Sequence, residues 1–181
     1  MLGYRSQITV KIFGYYFLNP SKAHYINELA DMLNVDVGNL FRKLKELEKE
    51  GILVAEQQGN QRYFKLNKNY PLLKELKKTY EIKYGLTRRL SEKIKDLKKL
   101  KEAYIFGSYA QNKLQQESDI DILLIGDHST IEAKRLILPL QKIIKREINI
   151  IDLSLKELES RKKNKDAFIS TLFSQKIIKI H

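Results

Sequence analysis

Apolar side chains recur at helical spacing in the first stretch of the chain. Ile8, Ile12, Phe13, Tyr16 and Phe17 share one face between Ser6 and Leu18, and Asn19-Pro20 closes the segment. The same spacing predicts a second helix from Ala23 to Leu33, with Ile26, Leu29, Ala30 and Leu33 on one face. Asn34 to Asp36 breaks the pattern. A third helix follows, with Val37, Leu40, Phe41, Leu44 and Leu47 as its apolar face, Asp36 as N-cap and Gly51 as C-terminal stop. Its free face carries Gly38, Asn39, Arg42, Lys43 and Glu46. Ile52 to Ala55 and Arg62 to Leu66 then predict a β-hairpin whose polar tip is Glu56 to Gln61.

Beyond the hairpin the pattern predicts two connecting helices, one through Leu72, Leu73 and Leu76 and one through Leu86, Leu90, Ile94 and Leu97, broken near Gly85. Two apolar runs, Ala103 to Phe106 and Ile120 to Ile125, predict strands. A helix over Ile131 to Lys145, kinked at Pro139, leads to a strand at Glu147 to Asp152. A helix from about Leu155, a short helix near Asp166 to Phe173 and a strand at Lys176 to Ile180 complete the chain. The expected class is α+β in three parts: residues 1–67, connecting helices over 68–100, and a mixed sheet flanked by helices over 101–181.

With 181 residues, 43% hydrophobic and 31% charged, the chain can bury a core and is not that of a disordered or fibrous protein. Zero cysteines exclude disulfides, thiolate metal sites and a cysteine nucleophile. The first twenty residues have no signal-peptide pattern, and no apolar run approaches the ~20 residues of a membrane span. A cytoplasmic protein without membrane contact is expected. The net charge of +12 predicts attraction to polyanions. Residues 1–101 hold 21 Lys+Arg against 11 Asp+Glu, a net of +10, and residues 102–181 hold 13 against 11, a net of +2. The polyanion-facing half is therefore the first. The run Lys93, Lys95, Lys98, Lys99 and Lys101 reads as a solvated helix face and is assigned no function.

The segment HYINELADMLNVDVGNLFRKLKELEKEGILVAEQQGNQRYFKLN resembles a winged helix-turn-helix transcriptional regulator over nearly all of residues 1–67. A helix presenting short polar and basic side chains can enter the major groove of double-stranded DNA, and a hairpin can lie on the backbone or in the minor groove. Asn39, Arg42 and Lys43 on the helix, with Asn60 and Arg62 on the hairpin beside Gln58, are the candidate contacts. The alternative for this part is a protein-contact surface with a solvated charged face.

The sharpest chemical signal is AYIFGSYAQNKLQQESDIDILLIG, Ala103 to Gly126. Residues two apart on a strand project to one side, so Asp119 and Asp121 stand together while Ile120 and Ile122 face the core. Two carboxylates side by side raise each other's pKa unless a cation neutralises them, and such a pair suits Mg²⁺ together with substrate phosphates. Gly107 and Ser108 end one strand and start a helix, where backbone N–H groups and a hydroxyl favour a phosphate. Together they suit in-line attack on a nucleotide α-phosphate with pyrophosphate leaving. Neither a P-loop nor a G-x-G-x-x-G fingerprint is present.

This segment resembles the signature of the DNA polymerase beta-type nucleotidyltransferase superfamily in its minimal form, over roughly residues 86–181. Its combination with an N-terminal winged helix resembles a group of prokaryotic regulators. The resemblance implies a nucleotide grip at Gly107 and Ser108, Mg²⁺ ligands at Asp119 and Asp121, and an NTP, ATP first, as cofactor. Active minimal members have a basic residue and glycine after the Gly-Ser-x-Ala step, where this chain has Gln111-Asn112 and a lysine only at Lys113. They also carry a third carboxylate on a later strand, where EINIID places Asn149; Glu147, two residues earlier, is the candidate substitute, and Asp152 points the other way.

Two functions are compatible with these residues. One is an NMP transferase acting on a hydroxyl of a partner, as related minimal domains do as antitoxins toward a toxin protein. The other is a regulator whose altered domain senses a nucleotide or a protein without turnover. Transfer to a small molecule or RNA is a third, with no acceptor pocket in view. Oligomeric state is left open. His24, His128 in a polar turn and His181 lack metal-ligand spacing and are read as structural or exposed.

Overall fold

The computed structural model describes residues 6–115 and 118–181. Arg5 and the residues before it, and Gln116 and Glu117 in the loop ahead of Asp119, lie outside the described residues. The chain divides after Gly85 into two units.

In the first unit α1 (Gln7–Leu18) is almost entirely buried, which fits its nearly continuous apolar sequence. Tyr16, fully buried, places its hydroxyl by donating to the Phe64 carbonyl at 2.7 Å. The predicted second helix is shorter than its periodicity suggested. Ala23–Tyr25 is strand β1, paired antiparallel with β3 through Ala23↔Lys65 to Tyr25↔Tyr63, and α2 starts at Ile26 and ends at Leu33. His24, read from sequence as structural or exposed, is buried, with Nε2 2.6 Å from the Tyr15 hydroxyl and Nδ1 2.9 Å from the Glu28 carboxylate.

Helix α3 (Val37–Lys49) is capped as expected, with Asp36 accepting from the Asn39 N–H at 2.8 Å. Its buried stripe is Leu40, Leu44 and Leu47; Val37 and Phe41 are instead 41% and 44% exposed. Strands β2 (Leu53–Gln58) and β3 (Gln61–Leu66) run to a two-residue turn at Gly59-Asn60, so the polar tip is tighter than the six residues expected. The sheet order is β1-β3-β2. Helix α4 (Leu73–Tyr84) packs back on α1, with Tyr80 edge-on to Phe13 and Phe17, while Leu72 stays exposed ahead of it.

The second unit begins with α5 (Leu86–Ile94), which buries Leu86, Leu90 and Ile94. Strands β4 (Leu100–Phe106), β5 (Ile120–Gly126), β6 (Ile148–Leu153) and β7 (Ile178–Lys179) form a mixed sheet in the order β6-β5-β4-β7. β5 and β6 are parallel and the other pairs antiparallel. A parallel pair needs a crossover. Here α7 (Thr130–Ile137) and α8 (Pro139–Ile144) supply it, the predicted kink at Pro139 being a break between two helices. α9 (Leu155–Lys163) and α10 (Ala167–Ser174) cover the sheet face that carries Leu123, Ile125 and Leu153, and Leu158, Ile169 and Leu172 pack against it. By alternation Ile120, Ile122 and Leu124 are buried on the other face. No helix among the described residues is long and apolar enough to cross a membrane.

Candidate functional site

The four-residue helix α6 (Gly107–Ala110) follows β4 directly, and the chain turns into it through Gly107 at φ +68°. That conformation favours glycine, and space demands it too: a Cβ at Gly107 would lie 2.4 Å from Asp121 Oδ2. Gly107 and the Asp121 carboxylate are thus in direct contact. The Lys113 N–H donates to the Ser108 carbonyl at 2.8 Å, which folds the chain just beyond α6, and the Lys113 side chain is exposed.

The ladder between β5 and β6 sets Asp121 opposite Asn149. Asn149 Nδ2 donates to Asp119 Oδ2 at 3.2 Å and to Asp121 Oδ1 at 3.4 Å. The structure therefore brings together Gly107, Asp119, Asp121 and Asn149, which three separate segments contribute. The Asp121 pKa is raised, chiefly by burial, with the Asp119 charge adding to it and the Asn149 hydrogen bond opposing. Glu147 is exposed just before β6; its carbonyl accepts from the Ile120 N–H at 3.0 Å.

Sequence reasoning missed the group that holds the aspartate segment. Arg146, only 7% exposed, donates to the Ser118 carbonyl next to Asp119. Around it, Ser118 Oγ accepts from the Gln115 N–H at 3.0 Å and Gln141 Oε1 accepts from the Ile148 N–H at 2.7 Å. Arg146 reads in the sequence as one more surface cation; its position after Lys145, which ends α8 at φ +54°, turns it inward. Arg146→Ala is expected to cost about 2 kcal/mol, the range for hydrogen bonds to charged groups, measured by denaturant unfolding.

His128 also departs from its reading as a residue of a polar turn. Its side chain is 1% exposed and Nε2 lies 2.8 Å from Asp152 Oδ1. Asp152 is thus engaged on the sheet face opposite to Asn149, near the far end of β6.

Asp119, Asp121 and Asn149 offer oxygen donors: two carboxylates and an amide that can turn its oxygen inward. A hard divalent cation such as Mg²⁺ fits that donor set when substrate phosphates complete its shell. Two carboxylates held together by one amide, beside a glycine that admits close approach, can bind a cation and a phosphate chain at once.

Residues 88–171 match the family described as Polymerase beta, Nucleotidyltransferase. Over this stretch the chain is similar to nucleotidyltransferase domains of that type. The match covers a little under half of the chain and contains both aspartates, Gly107 and Asn149. Among solved structures, a toxin-antitoxin with AMP-PNP is 20% identical, covering 53% of this chain and 73% of its own, with a TM-score of 0.40. A mutant of the toxin-antitoxin MntA-HpeT is 18% identical, covering 52% and 71%, with a TM-score of 0.38. A search of curated proteins found no match.

Outside the matched stretch, the residues expected to meet DNA lie on exposed parts of α3 and the hairpin, Lys43 being half-buried. Arg42 donates to Asn39 Oδ1, Lys43 pairs with Glu46, and Arg62 pairs with Glu48, so the last of these ties β3 to α3. Asn60 sits in the turn between β2 and β3.

Proposed function

We propose that the nucleotidyltransferase domain binds a magnesium nucleoside triphosphate, with Asp119 and Asp121 holding the metal and Gly107 and Ser108 the phosphates, and that Lys113 adds a cation to the grip. The observation that carries this reading is the contact of Gly107 with Asp121 in a cluster completed by Asp119 and Asn149. In the transfer reaction a hydroxyl oxygen of a partner protein bonds to the α-phosphorus, the bond to the β-phosphate oxygen breaks, and pyrophosphate leaves. Glu147 is the carboxylate assigned to take the hydroxyl proton. Bound Mg²⁺ would supply charge neutralisation for the triphosphate.

Calorimetric titration of the four NTPs with and without Mg²⁺ tests this reading. Asp119→Asn combined with Asp121→Asn is expected to abolish Mg-dependent binding while the fold persists, because burial and like charge already oppose the ionised form of Asp121. Retained binding in that variant would place the site elsewhere.

Asn149 favours a second reading, in which the domain senses a nucleotide or a partner protein without turnover. An amide cannot accept the acceptor's proton near neutral pH, and here it occupies the position opposite Asp121. Binding without pyrophosphate release would identify this case.

For the first unit we infer a winged helix-turn-helix that binds double-stranded DNA, so that the whole chain is a DNA-binding regulator. Three helices, a hairpin and a net charge of +5 over residues 1–85, from 14 Lys+Arg against 9 Asp+Glu, support it. Arg42→Ala is expected to weaken binding to DNA from upstream of the gene and to lower the salt slope by about 1, read from affinities at several salt concentrations. Unchanged affinity and slope would exclude this face.

A further inference from the structure

Helix α10 bears on both sides of the turn that carries Gly107. Near its start the Phe168 ring meets Phe106 edge to face, with centroids 6.0 Å apart and planes at 76°. Past its end Gln175 Oε1 accepts from Gln111 Nε2 at 2.7 Å. Phe106 immediately precedes Gly107, and Gln111 immediately follows α6. α10 therefore walls the segment assigned to the phosphates.

Phe106 is also the ladder partner of Asp121. Directly opposed residues of an antiparallel pair project to the same face with Cβ atoms about 5 Å apart, so the Phe106 ring and the Asp121 carboxylate are neighbours. The aromatic pair thus begins where the acidic cluster ends.

The rest of the apolar side of α10 is covered. Ile169 and Leu172 are buried, and Phe173 packs on Tyr104 and lies under the Lys162 ammonium. Phe168 remains 39% exposed, on the first turn of α10. An edge-to-face contact engages the edge of one ring and the face of the other, so the pair keeps a broad face without an aromatic partner.

We infer that Phe168 is a stacking platform for the base of the bound nucleotide, and that Phe106 props it beside the metal-binding aspartates. This rests on the nucleotide reading above. A triphosphate lying from Gly107 and Ser108 toward Asp121 carries its nucleoside at one end, and the exposed ring is the flat apolar surface next to that segment. Stacking needs no hydrogen-bond partner and is tolerant of base identity. Purines, with the larger ring surface, bind more tightly than pyrimidines at this platform.

Calorimetry with Mg-ATP and with magnesium tripolyphosphate, on the full chain and on Phe168→Ala and Phe168→Tyr, separates the base from the phosphates. Phe168→Ala is expected to weaken ATP about ten-fold or more and to leave tripolyphosphate unchanged, and Phe168→Tyr to retain both. The chain contains no tryptophan, so Phe168→Trp adds a single emitter whose fluorescence ATP should quench and tripolyphosphate should not. Equal ATP affinity in Phe168→Ala, or parallel loss of both ligands, would overturn the platform and leave the nucleotide site standing. Binding of neither ligand to the unaltered chain would overturn the nucleotide reading and the platform with it.

Discussion

Asn149→Asp is expected to turn the site into a three-carboxylate centre and to raise NMP transfer about 10²-fold or more, the lower range for a positioned general base. In the unaltered chain the Asn149 amide donates to Asp119 and Asp121, offsetting part of their mutual repulsion. Aspartate at that position removes both hydrogen bonds and adds a third negative charge. Without a divalent cation the variant should therefore lose about 1 kcal/mol of stability, the net worth of a hydrogen bond at a site open to water. Mg²⁺ should restore it by binding the folded form alone. Thermal unfolding against Mg²⁺ concentration and pyrophosphate release from Mg-ATP check the two halves of this expectation. A variant that gains Mg²⁺-dependent stability but no added turnover would show that an acid at position 149 is not what limits transfer.

Gly107→Ala should be the most damaging single change at the site. Its Cβ would lie 2.4 Å from Asp121 Oδ2, and its backbone at φ +68° is the left-handed region that costs a residue with a Cβ about 1–2 kcal/mol. The carboxylate must move or the turn must open, and either separates the Gly107–Ser108 turn from the two aspartates. Nucleotide affinity is expected to fall more than ten-fold and unfolding free energy by at least about 1 kcal/mol. Isothermal titration and urea unfolding measure the two effects. Gly59→Ala provides the comparison: φ there is +59°, but no atom lies within 4 Å of an added Cβ, so only the backbone cost applies and nucleotide binding should be unaffected.

Much of the site is visible in the sequence because it is built from local pattern. Two apolar strands, Gly107-Ser108 at the end of one and Asp119-Ile120-Asp121 at the start of the other, suffice to place the carboxylates on one face, with Ile120 and Ile122 buried behind them. The sequence aligns Asn149 with the third carboxylate and leaves a register shift toward Glu147 open, and the ladder sets Asn149 opposite Asp121. The Gly107 to Asp121 contact was not legible, since it depends on where the turn brings a backbone against a strand 14 residues away. Arg146 was missed for a similar reason: only tertiary burial distinguishes it from the other cations around it. In the first unit, Ala23–Tyr25 has helix-compatible residues and becomes a strand because the edge of β3 is free to pair with it. Val37 and Phe41 fit the apolar stripe of α3 by spacing, but the core beneath is filled by Leu40, Leu44 and Leu47.

The His128–Asp152 pair supplies an internal control for each substitution in this domain. Nε2 must carry the proton to meet the Asp152 carboxylate, and Nδ1 is buried with no hydrogen-bond partner among the described residues. The ring is therefore fixed as one tautomer, which gives a distinctive pair of ¹⁵N resonances. Because it anchors the ends of β5 and β6 remote from Asp121, those resonances should stay in place when a variant loses its ligand through local chemistry and shift when the strands themselves come apart.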